Sequence, residues 1–383
     1  MHPKFRTLIA GVPATLILSA CAHVAERSTS GEAAAPVANG TGTAKANQGW
    51  VPPKTPWGDP DLQGTWPLNH VNSVPLQRSP KFGDRLYFTK EELAAEAKRV
   101  ESRNELYEHE DETNRIGLGH WVESIDIPVQ TSLIVDPPDG RLPPRTPLGD
   151  KMAKEMGSSW GREYWDKPED FDSWDRCITR GLPSSMFPYP YNNGIQVIQA
   201  PGYVVINLEM IHEARIIPLA PMPKPAPVIK QWMGDSRGHW EGNALVVETV
   251  NFNGKTSMTS STTPQAARPS SAELHLVERF ERVSDDTINY SVVVTDPLTQ
   301  TASWTVAFPW KRDDSYQFFE YACNEDNNAV RGFITNSRVF RAQKAAGLNP
   351  TVQTPAENLR ERQVGVPNSP ERRAQEKKEK EEE

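Results

Sequence analysis

Downstream of residue 190 the chain alternates apolar and polar side chains in short runs, the two-residue period of half-buried strands. "GIQVIQA" and "YVVINLE" flank Pro201-Gly202, a hairpin signal, and "HEARIIPL" continues the second run. "GHWEGNALVVETVNF", "ELHLVERFERV", "TINYSVVVT", "TASWTVAFPW" and "YQFFEYAC" follow, separated by turn residues such as "SDD" and "DPLT". A Ser/Thr/Pro segment, "TSMTSSTTPQAARPSSA", interrupts them as a long loop of the functional or mobile kind. Upstream the pattern is mixed. Asp59-Pro60 starts a turn before a short strand from Leu62 to Trp66, and "TSLIVDPPDGRLPP" is a strand entering a turn. Thr89 with Glu92 forms a capping box that opens a helix carrying Leu93, Ala97 and Val100. Residues 146–165 suit a shorter helix, followed by the loop "DRCITRGLP". These periods predict a mainly β fold, an antiparallel barrel or sandwich with one or two helices in its N-terminal part.

Strand parity exposes the anomalies. Along "INLEMIHEARII" one face reads Ile206, Leu208, Met210, His212, Ala214, Ile216, with His212 as its single titratable member. Glu209, Glu213 and Arg215 fall on the other face, which can meet water or polar neighbours. In the same way Glu278 shares a face with Leu274, Leu276 and Phe280, and Glu320 with Tyr316, Phe318 and Ala322. Burying a carboxylate costs several kcal/mol unless it is paired or protonated. His212, Glu278 and Glu320 are therefore the candidate catalytic set, since a histidine and carboxylates in an apolar cavity can do acid/base chemistry. The structural alternative is a core histidine bonded to a glutamate, with Arg215 or Arg279 neutralising the remainder. His275 and Arg279 lie on the face opposite Glu278 and become the candidates if that face lines the cavity. "GDSRGHWEG" is read as a polar link between strands whose Asp235, Arg237 and His239 rim a pocket or make a tight turn. Arg215, Asp235, Arg237, His239, His275 and Arg279 form the candidate ligand-binding set.

Composition sets the compartment. Lys4 and Arg6 precede an apolar run from Leu8 to Leu18 that is too short to span a bilayer stably. Residues 22–49 hold almost no large apolar side chains and read as a tether, and 342–383 as a charged tail. That leaves 50–341 as one β-rich domain, helix-containing over 50–190 and stranded over 191–341. A net charge of −8 without a basic stripe argues against nucleic acid. Three cysteines are present. If Cys21 is modified, Cys177 and Cys323 remain to pair as a disulfide in an oxidising compartment. No cofactor or metal motif stands: "HEARI" starts like a zinc helix but has Ile216 where the second histidine belongs. "GSSWG" around Ser159 lacks the strand and helix a nucleophile elbow needs.

Three resemblances add to this. "LSAC", Leu18 to Cys21, resembles a bacterial lipobox, which implies cleavage before Cys21, its acylation, and a place in the cell envelope, at the outer membrane since Ala22 follows. "GTW", Gly64 to Trp66, and the closing meander resemble lipocalin or calycin barrels, although residues 67–193 intervene. "DRCITRGLP", "IHEARIIPL", "GDSRGHWEG", "LHLVERFERV" and "EYACNE" together resemble an uncharacterised family of secreted proteins of environmental bacteria, which carries no activity with it. The expectation is an envelope-anchored protein holding a small organic or lipid-like ligand in a β-barrel cavity, its membrane contact made through the lipid alone. The alternatives are a periplasmic lyase, isomerase or hydrolase using His212 with a carboxylate, and a structural envelope protein whose barrel is simply filled.

Overall fold

The computed structural model describes residues 50–113, 123, 126–155, 164–219, 223, 225–258, 268–325 and 327–351. Cys21, the tether, Ser159 and the tail beyond 351 lie outside them.

Alternating side chains build two antiparallel sheets that face each other across one core. The smaller pairs β1 (Gly64–Thr65), β3 (Ile195–Ala200), β4 (Tyr203–Leu208) and β5 (Glu213–Pro218), in that order. The larger runs β2 (Ile134–Asp136), β12 (Trp304–Lys311), β11 (Thr287–Thr295), β10 (His275–Ser284), β7 (Ala244–Val250) and β6 (Asp235–Glu241). Inward residues of both, including Val204, Ile206 and Ile217 against Leu276, Phe280, Tyr290 and Trp310, form one hydrophobic cluster. The result is a sandwich; neither sheet closes on itself, so among the described residues there is no barrel. The N-terminal part supplies an edge strand to each sheet, β1 to the small and β2 to the large. Both are very short, which leaves little unpaired edge exposed.

Aromatic rings fill the interior: Tyr290 stacks on Trp310 at 5.1 Å, with Phe280 and Phe308 packed edge-on or tilted around it. The space between the sheets is therefore closed to a ligand. Trp66 of "GTW" is fully buried in the same core.

The capping box forms as the pattern predicts. Glu92 accepts from Thr89 N, Thr89 Oγ1 accepts from Glu92 N, and α1 runs over Lys90–Thr113. The second helix, α2, spans Pro147–Glu155. Four expectations need correction. "GDSRGHWEG" is mostly strand β6, turning at Gly242. "YQFFEYAC" is irregular, its Tyr316 OH and Phe319 N bonding the Glu209 side chain and not a neighbouring strand. The long loop contributes a two-residue ladder, β8 (Ser257–Met258) with β9 (Arg268–Pro269). A third helix, α3 (Ala329–Ala345), crosses the boundary drawn at 341; its Ser337 accepts from Trp165 N and its Phe333 packs on Trp165. Cys177 and Cys323 form the disulfide, with Cα atoms 5.6 Å apart, joining the "DRCITRGLP" loop to the segment before α3.

Candidate functional site

The sequence candidates separate. Parity holds on β10, where Leu276, Glu278 and Phe280 face the core while His275, Val277, Arg279 and Glu281 face out. Glu278 is paired across the sandwich. Arg215 of β5 donates to it twice, at 3.0 and 2.6 Å, and Tyr290 OH adds a third bond at 3.0 Å. Burial lowers the Arg215 pKa but Glu278 more than offsets it, so the guanidinium titrates above its ordinary value. Arg215 also reaches Ser236, which bonds Thr249. Both oxygens of this buried carboxylate are therefore taken within the core, although Arg215 Nε is left without a partner.

His212 is not on the inward face. The chain leaves β4 at Leu208 and turns through Met210–His212, with Ile211 at φ 63° and His212 at φ 40°. That left-handed step lets β5 return antiparallel to β4 and resets the parity, so Arg215 and Ile217 point inward, Ala214 and Ile216 outward. His212 and Glu320 are both exposed, Glu278 is buried, and the three do not converge. The remaining candidates make surface pairs on the large sheet. His275 meets Glu248 at 3.0 Å, His239 meets Glu241 at 3.3 Å, Arg279 meets Glu241 at 3.1 Å, and Asp235 pairs with Arg237 at 2.9 Å. The first three, at the surface, contribute about 0–1 kcal/mol each, while the Asp235–Arg237 pair is partly buried.

A polar cluster that parity missed lies beside the kink. Glu209, 2% exposed, accepts from Gly194 N, Asn192 Nδ2, Phe319 N and Tyr316 OH, the last at 2.6 Å. It thereby holds the irregular 316–319 segment against the small sheet. Nearby, Arg180 is buried with its guanidinium 4.7 Å from the Tyr189 ring and 5.2 Å from Trp174, and burial pulls its pKa down. Arg180 and Glu209 line one void of about 10 Å³, room for a single water.

The site of ligand size is elsewhere. A cavity of about 360 Å³ opens at the end of the large sheet where β11 turns into β12, bounded by α2 and by Arg268–Ser270. Its walls combine apolar side chains, among them Leu142, Pro183, Leu274, Val294 and Trp304, with Gln77, Gln300, Ser270, Thr299 and four charged groups. Arg145 is tied to Asp150 at 2.9 Å. Asp296, 3% exposed, accepts from Ser271 N at 2.7 Å and Ser271 Oγ at 2.6 Å. Among the described residues Arg268 has no carboxylate partner. Its Nη1 is sealed from solvent without a hydrogen-bond partner, and burial together with the like charge of Arg145 pushes its pKa down to about 10. Gly149 anchors α2 here, its Cα so close to Thr299 O that a Cβ would stand 2.2 Å from that oxygen.

None of the sequence candidates lines this cavity. The one signal that pointed here was the long Ser/Thr/Pro loop, whose C-terminal end delivers Arg268. Among the described residues no cluster of His, Cys, Asp and Glu is placed to hold a metal, and no helix is long and apolar enough to cross a membrane. No family model, curated protein or solved structure matches the chain.

Proposed function

We propose that this is a small-molecule binding protein of the cell envelope, tethered through an acylated Cys21, that holds an anionic organic ligand in the cavity at Arg268. The observation that carries the reading is Arg268, a cation with no carboxylate partner among the described residues, in the wall of a cavity within the 300–1,000 Å³ range of small-molecule sites. A cation kept without a counter-ion is a cost to the fold that bound anion removes. The ligand reading suggested by calycin resemblance thus moves from the sandwich interior, which is filled, to the end of the large sheet. The acid/base alternative draws no support from the exposed His212 and Glu320.

The test is a thermal-shift screen of organic anions on the wild type and Arg268→Met. Bound anions should raise the wild-type Tm, and the variant should lose that response while matching or exceeding the wild-type Tm without ligand. A variant that responds as the wild type does would refute the assignment. Cys21→Ser should move the protein from the membrane to the soluble fraction; unchanged membrane association would refute the tether.

A further inference from the structure

The polar lining of the cavity is almost entirely donor. The carbonyl of Gln77 is taken by Leu142 N at 3.0 Å and that of Gln300 by Trp304 Nε1 at 2.5 Å, so each amide is left with its NH2 to offer. Arg268 adds a guanidinium and Ser270 a hydroxyl. Both carboxylate oxygens of Asp296 are taken by Ser271, and Oδ1 of the half-exposed Asp150 is taken by Arg145. A ligand entering here meets donors from Gln77, Gln300, Ser270 and Arg268, while the buried Asp296 already has both carboxylate oxygens bonded to Ser271, a set suited to an oxyanion.

Charge and shape narrow the class. The lining carries Arg145 and Arg268 against Asp150 and Asp296. With Arg145 matched by Asp150, Arg268 is the one cation left for the ligand, and Asp296 opposes a second negative charge. The planar fork of arginine fits a carboxylate through two parallel bonds. Around these donors Leu142, Pro183, Pro269, Leu274, Val294 and Trp304 offer an apolar wall with no polar group to satisfy on the ligand's body. We infer that the ligand is a monocarboxylate with an apolar body, its head group held by Arg268 and the amide NH2 groups of Gln77 and Gln300. This rests on the binding reading above.

The test is calorimetry on the full-length chain with probes matched in body: octanoate, octyl phosphate and octanamide, and indole-3-butyrate beside its amide. At least one carboxylate should bind tenfold or more tightly than its amide, and octanoate tenfold more tightly than octyl phosphate if the octyl body is accepted. Gln77→Glu and Gln300→Glu keep the acceptors used by Leu142 and Trp304 but lose the NH2 and add charge. Each should weaken the carboxylate tenfold or more without lowering Tm by more than a degree or two. Octyl phosphate binding most tightly, and depending on Arg268, would overturn the carboxylate assignment and leave the binding function standing. Carboxylate affinity unchanged in both glutamate variants would overturn the head-group placement. Failure of every anionic probe, or amides binding as well as acids, would overturn both.

Discussion

Glu278→Gln removes one charge from the middle of the sandwich, and the structure sets the size of the effect. The carboxylate is fully buried and carries three hydrogen bonds, two from Arg215 and one from Tyr290. Glutamine keeps a single acceptor oxygen, so one charge-assisted bond is lost outright, roughly 1.5–3 kcal/mol. The guanidinium, 4% exposed, is then left uncompensated, and breaking a buried pair in this way costs about 3–5 kcal/mol in all. At about 2 °C per kcal/mol for a chain of this size, Tm should fall by roughly 6–10 °C. Glu241→Gln, which breaks the exposed pair with Arg279, is the control and should move Tm by no more than about 2 °C. The assay is two-state thermal unfolding followed by circular dichroism, with ligand absent. Removing the whole unit should behave differently, because it leaves no orphan. Arg215→Met, Glu278→Leu and Tyr290→Phe together should recover most of the loss, Ser236 and Thr249 still bonding each other. A fall no larger than the control, or a triple variant as unstable as Glu278→Gln, would show that the cross-sheet pair does not hold the two layers as described.

The disulfide closes a long loop, its cysteines 146 positions apart in sequence, so Cys177→Ser/Cys323→Ser should lose roughly 2–5 kcal/mol in urea unfolding; coincident midpoints with and without reductant would refute the bond. Burial and the neighbouring Asp175 push the Asp172 pKa up to about 7. The folded state therefore holds a proton that the unfolded state has released, so the stability this group contributes is full below roughly pH 4 and lost as pH rises through 7. Glu123 and Glu213, raised mainly by burial, act in the same direction. Asp172→Asn keeps the acceptor for Asp175 N and should flatten the decline of the urea midpoint between pH 4.5 and 7.5; an unchanged slope would refute the protonated carboxyl. Gly149→Ala forces a Cβ onto Thr299 O and should cost roughly 1–3 kcal/mol, weakening probe binding as α2 is displaced; full stability with full binding would refute α2 as a cavity wall.

What the sequence made legible was local. The Thr89–Glu92 capping box, the Pro201-Gly202 hairpin, the alternation of β10 and the Cys177–Cys323 pair each depend on spacing or on which residues remain to pair. What it hid depends on where the backbone stops being extended. Parity assigns faces only while successive residues stay in the β region, and two left-handed residues at 211–212 were enough to turn His212 outward and Arg215 inward. No rule of composition marks Ile211 for φ 63°, a conformation that L side chains rarely adopt and a β-branched one less than most. The tertiary structure must impose it, and Glu209, fixed by four donors immediately before the kink, is the group placed to do so. The same reasoning separates the two arginines that matter. Arg215 and Arg268 look equivalent in sequence, each among apolar neighbours, but one meets a carboxylate from the opposite sheet and the other meets none. A fold can use the first without any ligand, whereas the second is the group that the proposed anionic ligand would neutralise. An anion-dependent gain in stability that vanishes with Arg268→Met but survives Glu278→Gln is the result that distinguishes these roles.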